Sequence, residues 1–203
     1  MRGIRIESIQ PQILDRQLDA IALAAERTGN APWVMAPMIA TPDEAKRFAD
    51  RARERGLVPG VMIEVPAAAL LADHILDHVE FLSIGTNDLA QYTMAADRMS
   101  AELATLTDPW QPGVLALVAQ TARAGANRGK PVGVCGEAAA DPLLACVLTG
   151  FGITSLSAAA AAVTGVGAKL ASVTLQQCRD AAAAVLGTAS AADARTAALD
   201  VLG

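Results

Sequence analysis

The stretch at residues 60–98 constrains the fold more than any other part of the chain. It contains GVMIEVPAAAL and, further on, FLSIGTNDLAQYTMAADR. Each half pairs a short apolar run with a turn, marked by Pro66 in one and by Gly85 and Thr86 in the other, and then a helical segment. Apolar runs of that length, bounded by turn residues, are strands buried on both faces, and a strand followed directly by a helix is one βα unit of a parallel sheet. Glu64 and Asp88 close the two runs. Acids at the carboxyl ends of neighbouring buried strands sit on the edge where α/β proteins build their sites.

The same alternation runs along the chain. Residues 2–6 (RGIRI) alternate charge with apolar side chains and predict a short strand. A helix follows from Pro11 to about Arg27, with Ile13, Leu14, Leu18, Ile21 and Ala24 at helical spacing and Gly29 as its stop. Residues 33–38 predict a second strand. Thr41, Pro42, Asp43 and Glu44 then open a helix with a good cap, a first-turn proline and first-turn acids. Strands are predicted at 61–65 and 79–84, with helices at 67–74 and around 89–96. A loop at 108–112 leads to a helix over 113–128, a strand at 132–135 and a helix over 141–148. Residues 154–157 predict a sixth, very short strand. From Thr174 to the last residue the chain reads as two Ala-rich helices separated near residues 187–190.

Short connections between strands and helices imply right-handed βαβ units and a parallel sheet. A full (β/α)₈ barrel needs about 250 residues, and this chain has 203. The fold class is therefore α/β: a parallel (β/α) barrel of the TIM type without its first part, or a smaller open sheet. Periodicity leaves both open. Residues 1–203 read as one domain, with 174–203 as its C-terminal helices. Just over half of the residues are hydrophobic, at 53%, against 3% aromatic, so the core is aliphatic. A net charge of −5, with no basic stripe, argues against nucleic acid. The bland stretch at 157–171 is broken by Thr164, Gly165, Gly167 and Lys169, which argues against membrane insertion. No signal-peptide pattern is present, and three cysteines without CxxC spacing suit a reducing cytoplasm.

Five residues carry candidate chemistry. Glu64 and Asp88 lie on strand ends about 4.8 Å apart, close enough to share a hard, oxygen-preferring cation such as Mg²⁺. The plainer readings are a rim salt bridge for Glu64 and an N-cap of the 89–96 helix for Asp88. Asn87 offers amide donors to a carboxylate or phosphate, and Arg98 a bidentate clamp; as plain structure they are a turn residue and a helix-end arginine. Cys135 stands between Gly133 and Gly136 at a strand end, where a thiol either donates a proton or attacks as thiolate. Cys146 and Cys178 read as buried helix residues. His74 and His78 lack the glutamate of a zincin site. GANRGK at 125–130 mimics a phosphate loop but has Pro131 where Ser or Thr is needed and precedes its strand.

Taken together, GVMIEVPAAAL, SIGTNDLAQYTMAADR and GKPVGVCGE resemble the phosphoenolpyruvate-binding barrel of the Enzyme I family of the bacterial phosphoenolpyruvate:sugar phosphotransferase system, and VMAPMIATPDEA and RGIRI also look like it. The likeness runs from Arg2 to about Ser157. Dikinases and phosphoenolpyruvate synthases share GTNDL and CGE, whereas the Tyr92-Thr93 pair and the Ala-Asp-Arg ending look closer to Enzyme I. The resemblance implies that Glu64 and Asp88 hold Mg²⁺, that Asn87, Asp88, Arg98 and Arg2 bind substrate, and that Cys135 protonates the methylene carbon of the pyruvate enolate. It also implies a cytoplasmic homodimer that passes phosphate to a phosphocarrier protein.

Two departures follow. The family's phosphoryl-accepting histidine lies in an N-terminal domain absent from this sequence, and the family's two arginines lie on the first two barrel strands, whereas this sequence is expected to begin at the third. The chain is thus expected to be a C-terminal piece of the barrel, lacking two strands and transferring no phosphate alone. The competing expectations are a non-catalytic dimerisation or interaction module, a lyase acting through a metal-bound enolate, and a dikinase-like enzyme.

Overall fold

A computed structural model describes residues 3–203. Five of the apolar runs form strands: β1 (Trp33–Ala36), β2 (Val58–Ile63), β3 (Phe81–Gly85), β4 (Val132–Cys135) and β5 (Ser155–Ser157). All neighbours are parallel and the sheet order is the chain order. That is the arrangement of consecutive strands in a (β/α) barrel, with β1 and β5 at the two ends of the arc.

Helices α1 (Pro11–Thr28) and α2 (Pro42–Arg53) flank β1. Between β2 and β3 come α3 (Pro66–Leu70) and α4 (Ala72–Ile75); between β3 and β4 come α5 (Thr86–Thr93) and α6 (Pro112–Arg128). Then α7 (Glu137–Ala140) and α8 (Pro142–Phe151) lead to β5, followed by α9 (Ala160–Ala171), α10 (Leu175–Val185) and α11 (Ala191–Leu202). The caps are local. The Thr41 hydroxyl accepts from the Glu44 N–H while the Glu44 carboxylate accepts from the Thr41 N–H, so α2 starts on a reciprocal capping box. Asp141 accepts from two first-turn N–H groups of α8.

Register divides the sheet into two faces. Val61, Ile63, Leu82, Ile84, Val132 and Val134 point to the helices and are almost wholly buried. The alternate residues point the other way: Met35 with Gly60, Met62 with Ser83, and Gly133 with Ser155 occupy matched positions across neighbouring strands. On that face Trp33 stacks on Phe81 across β2, ring centroids 4.7 Å apart. Gly60 lies beneath: a Cβ there would stand 2.3 Å from Phe81 Cζ.

The outer layer is held in two ways. Arg51 pairs with Glu7 and Asp15, and Arg55 with Asp15 and Asp19, tying α1 to α2. In the C-terminal helices small residues do the work: Ala181, Ala194 and Ala198 are fully buried, and Gly150 of α8 meets the Cys178 carbonyl so closely that no side chain fits. Cys146 and Cys178 are buried free thiols, as expected. Among the described residues, no helix is long and apolar enough to cross a membrane.

Three expectations change. Of the strand expected at 2–6, Arg2 lies outside the described residues and the rest belongs to a 3₁₀ helix, Gly3–Ser8, with the Ile4 N–H bonded to the Pro37 carbonyl and Gly3 pressed on Met38, so it crosses the end of β1. The helix at 67–74 is two short helices, because Leu71 leaves helical geometry at φ −100 and ψ 14. Asp88 is not an N-cap: α5 starts at Thr86, with Gly85 at the cap position, so Asp88 sits in the first turn, where the helix dipole favours an anion.

Candidate active site

Glu64 is the first residue beyond β2, beside Gly85 at the end of β3, and only 5% exposed. A buried carboxylate must be hydrogen-bonded. One partner is the Met38 N–H, 2.9 Å from Oε2. Met38 reaches it with φ at +61, a left-handed backbone that a buried non-glycine residue rarely adopts. Gly85 gives room on the other side, since a Cβ there would be 2.8 Å from Glu64 Cγ.

Asn87 and Asp88 follow in the first turn of α5, both half-buried. The Asn87 Oδ1 accepts a long bond, 3.4 Å, from the Glu137 N–H, which leaves its amide donors for a ligand. The loop after β4 is fitted to this turn. Gly136 has φ +99, and a Cβ there would stand about 3 Å from Thr86 Oγ1 and Asn87 Oδ1. Thr86 donates to the Cys135 carbonyl at 3.1 Å.

Cys135 ends β4 in register with Gly85. Its thiol is half-buried, donates toward the Ile84 carbonyl at 3.5 Å and accepts from the Ser83 hydroxyl at 3.8 Å. Burial raises its pKa above the usual thiol value; the Ser83 bond opposes that and the Glu64 charge reinforces it. The shift favours the thiol over the thiolate at neutral pH.

Arg98 lies in the segment after α5 and is exposed. It lines a cleft of about 240 Å³ together with Asn87, Met99, Thr107 and Glu137. Glu64, Asp88 and Cys135 are not among those lining residues; Glu64 follows β2, Cys135 ends β4, and Asp88 lies in the first turn of α5 just after β3. Arg2, the remaining predicted substrate ligand, lies outside the described residues.

The donor set fits Mg²⁺. Two carboxylates at adjacent strand ends offer hard oxygen ligands, and Mg²⁺ is usually held by one or two carboxylates plus waters and substrate oxygens. Among the described residues, no group of three or more His, Cys, Asp or Glu side chains forms a metal cluster. Sequence reasoning missed Met38, Ser83 and Glu137. Ser83 lies on the open sheet face next to Gly133 in the register, a signal that strand alternation carries once the pairing is known.

Residues 1–175 match a family described as PEP-utilising enzyme, PEP-binding domain. Over its whole length the chain is 56% identical to a phosphoenolpyruvate-protein phosphotransferase of Streptomyces coelicolor, of which it spans 37%. A protein of the same name in Bacillus subtilis is 38% identical over 80% of the chain, and a phosphoenolpyruvate synthase of Pyrococcus furiosus is 39% identical over 77%. The chain spans 30% and 20% of those relatives' lengths. Among solved structures, a HpcH/Hpal aldolase/citrate lyase family protein from Burkholderia cenocepacia aligns with a TM-score of 0.50 at 20% identity, covering 72% of this chain and 65% of that one. That likeness is one of fold alone.

Proposed function

Because this chain belongs to the PEP-binding domain family of PEP-utilising enzymes, we propose that it is the phosphoenolpyruvate site of an Enzyme I-type phosphoenolpyruvate–protein phosphotransferase. The observation that carries the reading is the position of Glu64, Asn87, Asp88 and Cys135 at or just beyond the carboxyl ends of three adjacent strands.

The division of labour follows from the chemistry of each group. Glu64 and Asp88 would hold Mg²⁺, which when bound offsets the negative charge of the substrate's phosphate and carboxylate. The Asn87 amide and the Arg98 guanidinium bind the anionic ends. When the P–O bond breaks and a new P–N bond forms to an accepting histidine, the pyruvate enolate is left behind. Cys135 gives its S–H proton to the methylene carbon, yielding pyruvate and a thiolate, and so draws the transfer forward. A thiol held neutral by burial suits that step. The Ser83 hydroxyl, bonded to the sulfur, stabilises the thiolate that results.

The acceptor comes from elsewhere. His74 lies on α4 and His78 just before β3, at the opposite edge of the sheet from Cys135. The reading therefore includes a histidine domain, a phosphocarrier partner, a homodimer and a cytoplasmic role in sugar uptake, with the isolated chain transferring no phosphate. Formation of phosphohistidine on a carrier protein by this chain alone would contradict the last point. Calorimetric titration of the chain with phosphoenolpyruvate tests the site itself. Saturable heat that requires Mg²⁺ is expected; absence of binding at millimolar ligand with Mg²⁺ present would overturn the reading.

A further inference from the structure

Arg98 is the exposed member of the site, on a segment without regular structure, yet its backbone is held at a defined place. Helix α5 is fixed by Leu89 and Ala90, both almost wholly buried. It stops at Met94, whose N–H bonds the Ala90 carbonyl. Ala95 then turns left-handed at φ +51, an unusual state for a residue with a Cβ. Two bonds fasten the chain after this turn, and both end on Gln91. The Gln91 backbone carbonyl accepts from the Ala96 N–H at 3.1 Å. The Gln91 side-chain oxygen accepts from the Arg98 N–H at 3.2 Å. Ala96, between them, is buried.

We propose that Gln91 is a positioning residue for Arg98: its side-chain carbonyl fixes the arginine's backbone so that the guanidinium faces Asn87 and Glu137 across the cleft. This rests on the phosphoenolpyruvate reading and assigns a role to a residue that touches no ligand. The geometry is suited to the task. Gln91 sits one turn beyond Asn87 on the same helix, so a single rigid element places both anion-binding groups. Among the described residues, the other hydrogen bonds of 97–100 join the Asp97 side chain to the Met99 N–H, the Asp97 carbonyl to the Ser100 N–H and the Ser100 carbonyl to the Leu103 N–H. None of these ties Arg98 to α5. Positioning an anion clamp before the ligand arrives lowers the ordering cost of binding.

The test is a double-mutant cycle on the full chain, read by calorimetric titration with phosphoenolpyruvate in Mg²⁺ and by thermal melting. Gln91→Met keeps the length of the side chain and removes the acceptor. It is expected to weaken binding about fivefold to tenfold, the worth of one neutral hydrogen bond, with the melting midpoint lowered by no more than about 5 °C. In an Arg98→Ala background the same substitution is expected to change affinity by less than about twofold. Gln91→Ala, which favours the helix, gives the same readout should the methionine variant fold poorly. Wild-type affinity in Gln91→Met, or an undiminished loss in the Arg98→Ala background, would overturn the proposal while leaving the site reading intact. A wild-type chain that binds no phosphoenolpyruvate would overturn both.

Discussion

The two faces of the sheet are built on different rules. The helix-covered face is filled by Val61, Ile63, Leu82, Ile84, Val132 and Val134, side chains that only need to pack. The other face carries Trp33, Met35, Met62, Ser83 and Cys135, with Gly60 and Gly133 between them, and the proposed site stands where this face meets the carboxyl edge. One face stabilises and the other is available for work. The alternation of a strand lets one peptide serve both, since adjacent residues point in opposite directions.

Substitutions on the two faces should therefore separate stability from binding. The largest effect on stability is expected from Leu82→Ala, which leaves a cavity in the helix-covered face: about 2–5 kcal/mol in urea unfolding, with phosphoenolpyruvate affinity of the folded fraction unchanged. A loss below about 1 kcal/mol would mean the face is less tightly packed than described. Next comes Gly85→Ala at the working edge. The added Cβ would overlap Glu64 Cγ, so the carboxylate must shift. Expected are a cost of about 1–3 kcal/mol from overpacking and loss of Mg²⁺-dependent binding at ligand concentrations that saturate the parent. Retained binding would show that Glu64 is not a metal ligand. Smaller still is Trp33→Ala on the open face: the ring is 59% exposed, so only the stack on Phe81 is lost, about 0.5–1.5 kcal/mol.

The last contrast is in pH. Burial raises the Cys135 pKa, so its thiol form outlasts that of an ordinary cysteine as pH rises. Iodoacetamide should label Cys135 slowly up to about pH 8.5, the ordinary thiol pKa, and faster only beyond it. The sign for stability is the same: the contribution is full at pH below the unfolded value and is lost as pH climbs through the folded one, because ionising the thiol costs more in the folded chain. Rapid labelling at pH 7 would indicate a stabilised thiolate and remove the acid role.

The βα order was legible because each apolar run is bounded by turn residues, and the placement of Glu64, Asp88 and Cys135 at the carboxyl edge because each follows or ends such a run. RGIRI misled because alternation over five residues also suits a 3₁₀ turn with one buried side chain. Ile4 is buried while Ile6 is 43% exposed, and Arg5 pairs with Glu44 of α2, not with a strand partner. The cap of α5 misled because Asp is a good N-cap, yet Gly85 ends β3 and turns straight into the helix. Ser83 and Met38 were not legible. Ser83 meets Cys135 across 52 residues, and the Met38 N–H meets Glu64 across 26, so only the strand register brings them together. Gln91 escaped for another reason: its task is to accept from a backbone N–H, which no residue type announces.

The central claim is that Cys135 protonates the enolate carbon at the edge where β2, β3 and β4 end; run in reverse, its thiolate form takes a proton from the methyl group of pyruvate. Deuterium incorporation into pyruvate in D₂O, followed by proton NMR, measures this directly and needs no phosphoryl acceptor. The account predicts Mg²⁺-dependent loss of the methyl signal with the parent chain and a rate at least about 100-fold lower with Cys135→Ala, at an unchanged melting temperature. Exchange no faster than with Mg²⁺ alone, or exchange undiminished in Cys135→Ala, would contradict it.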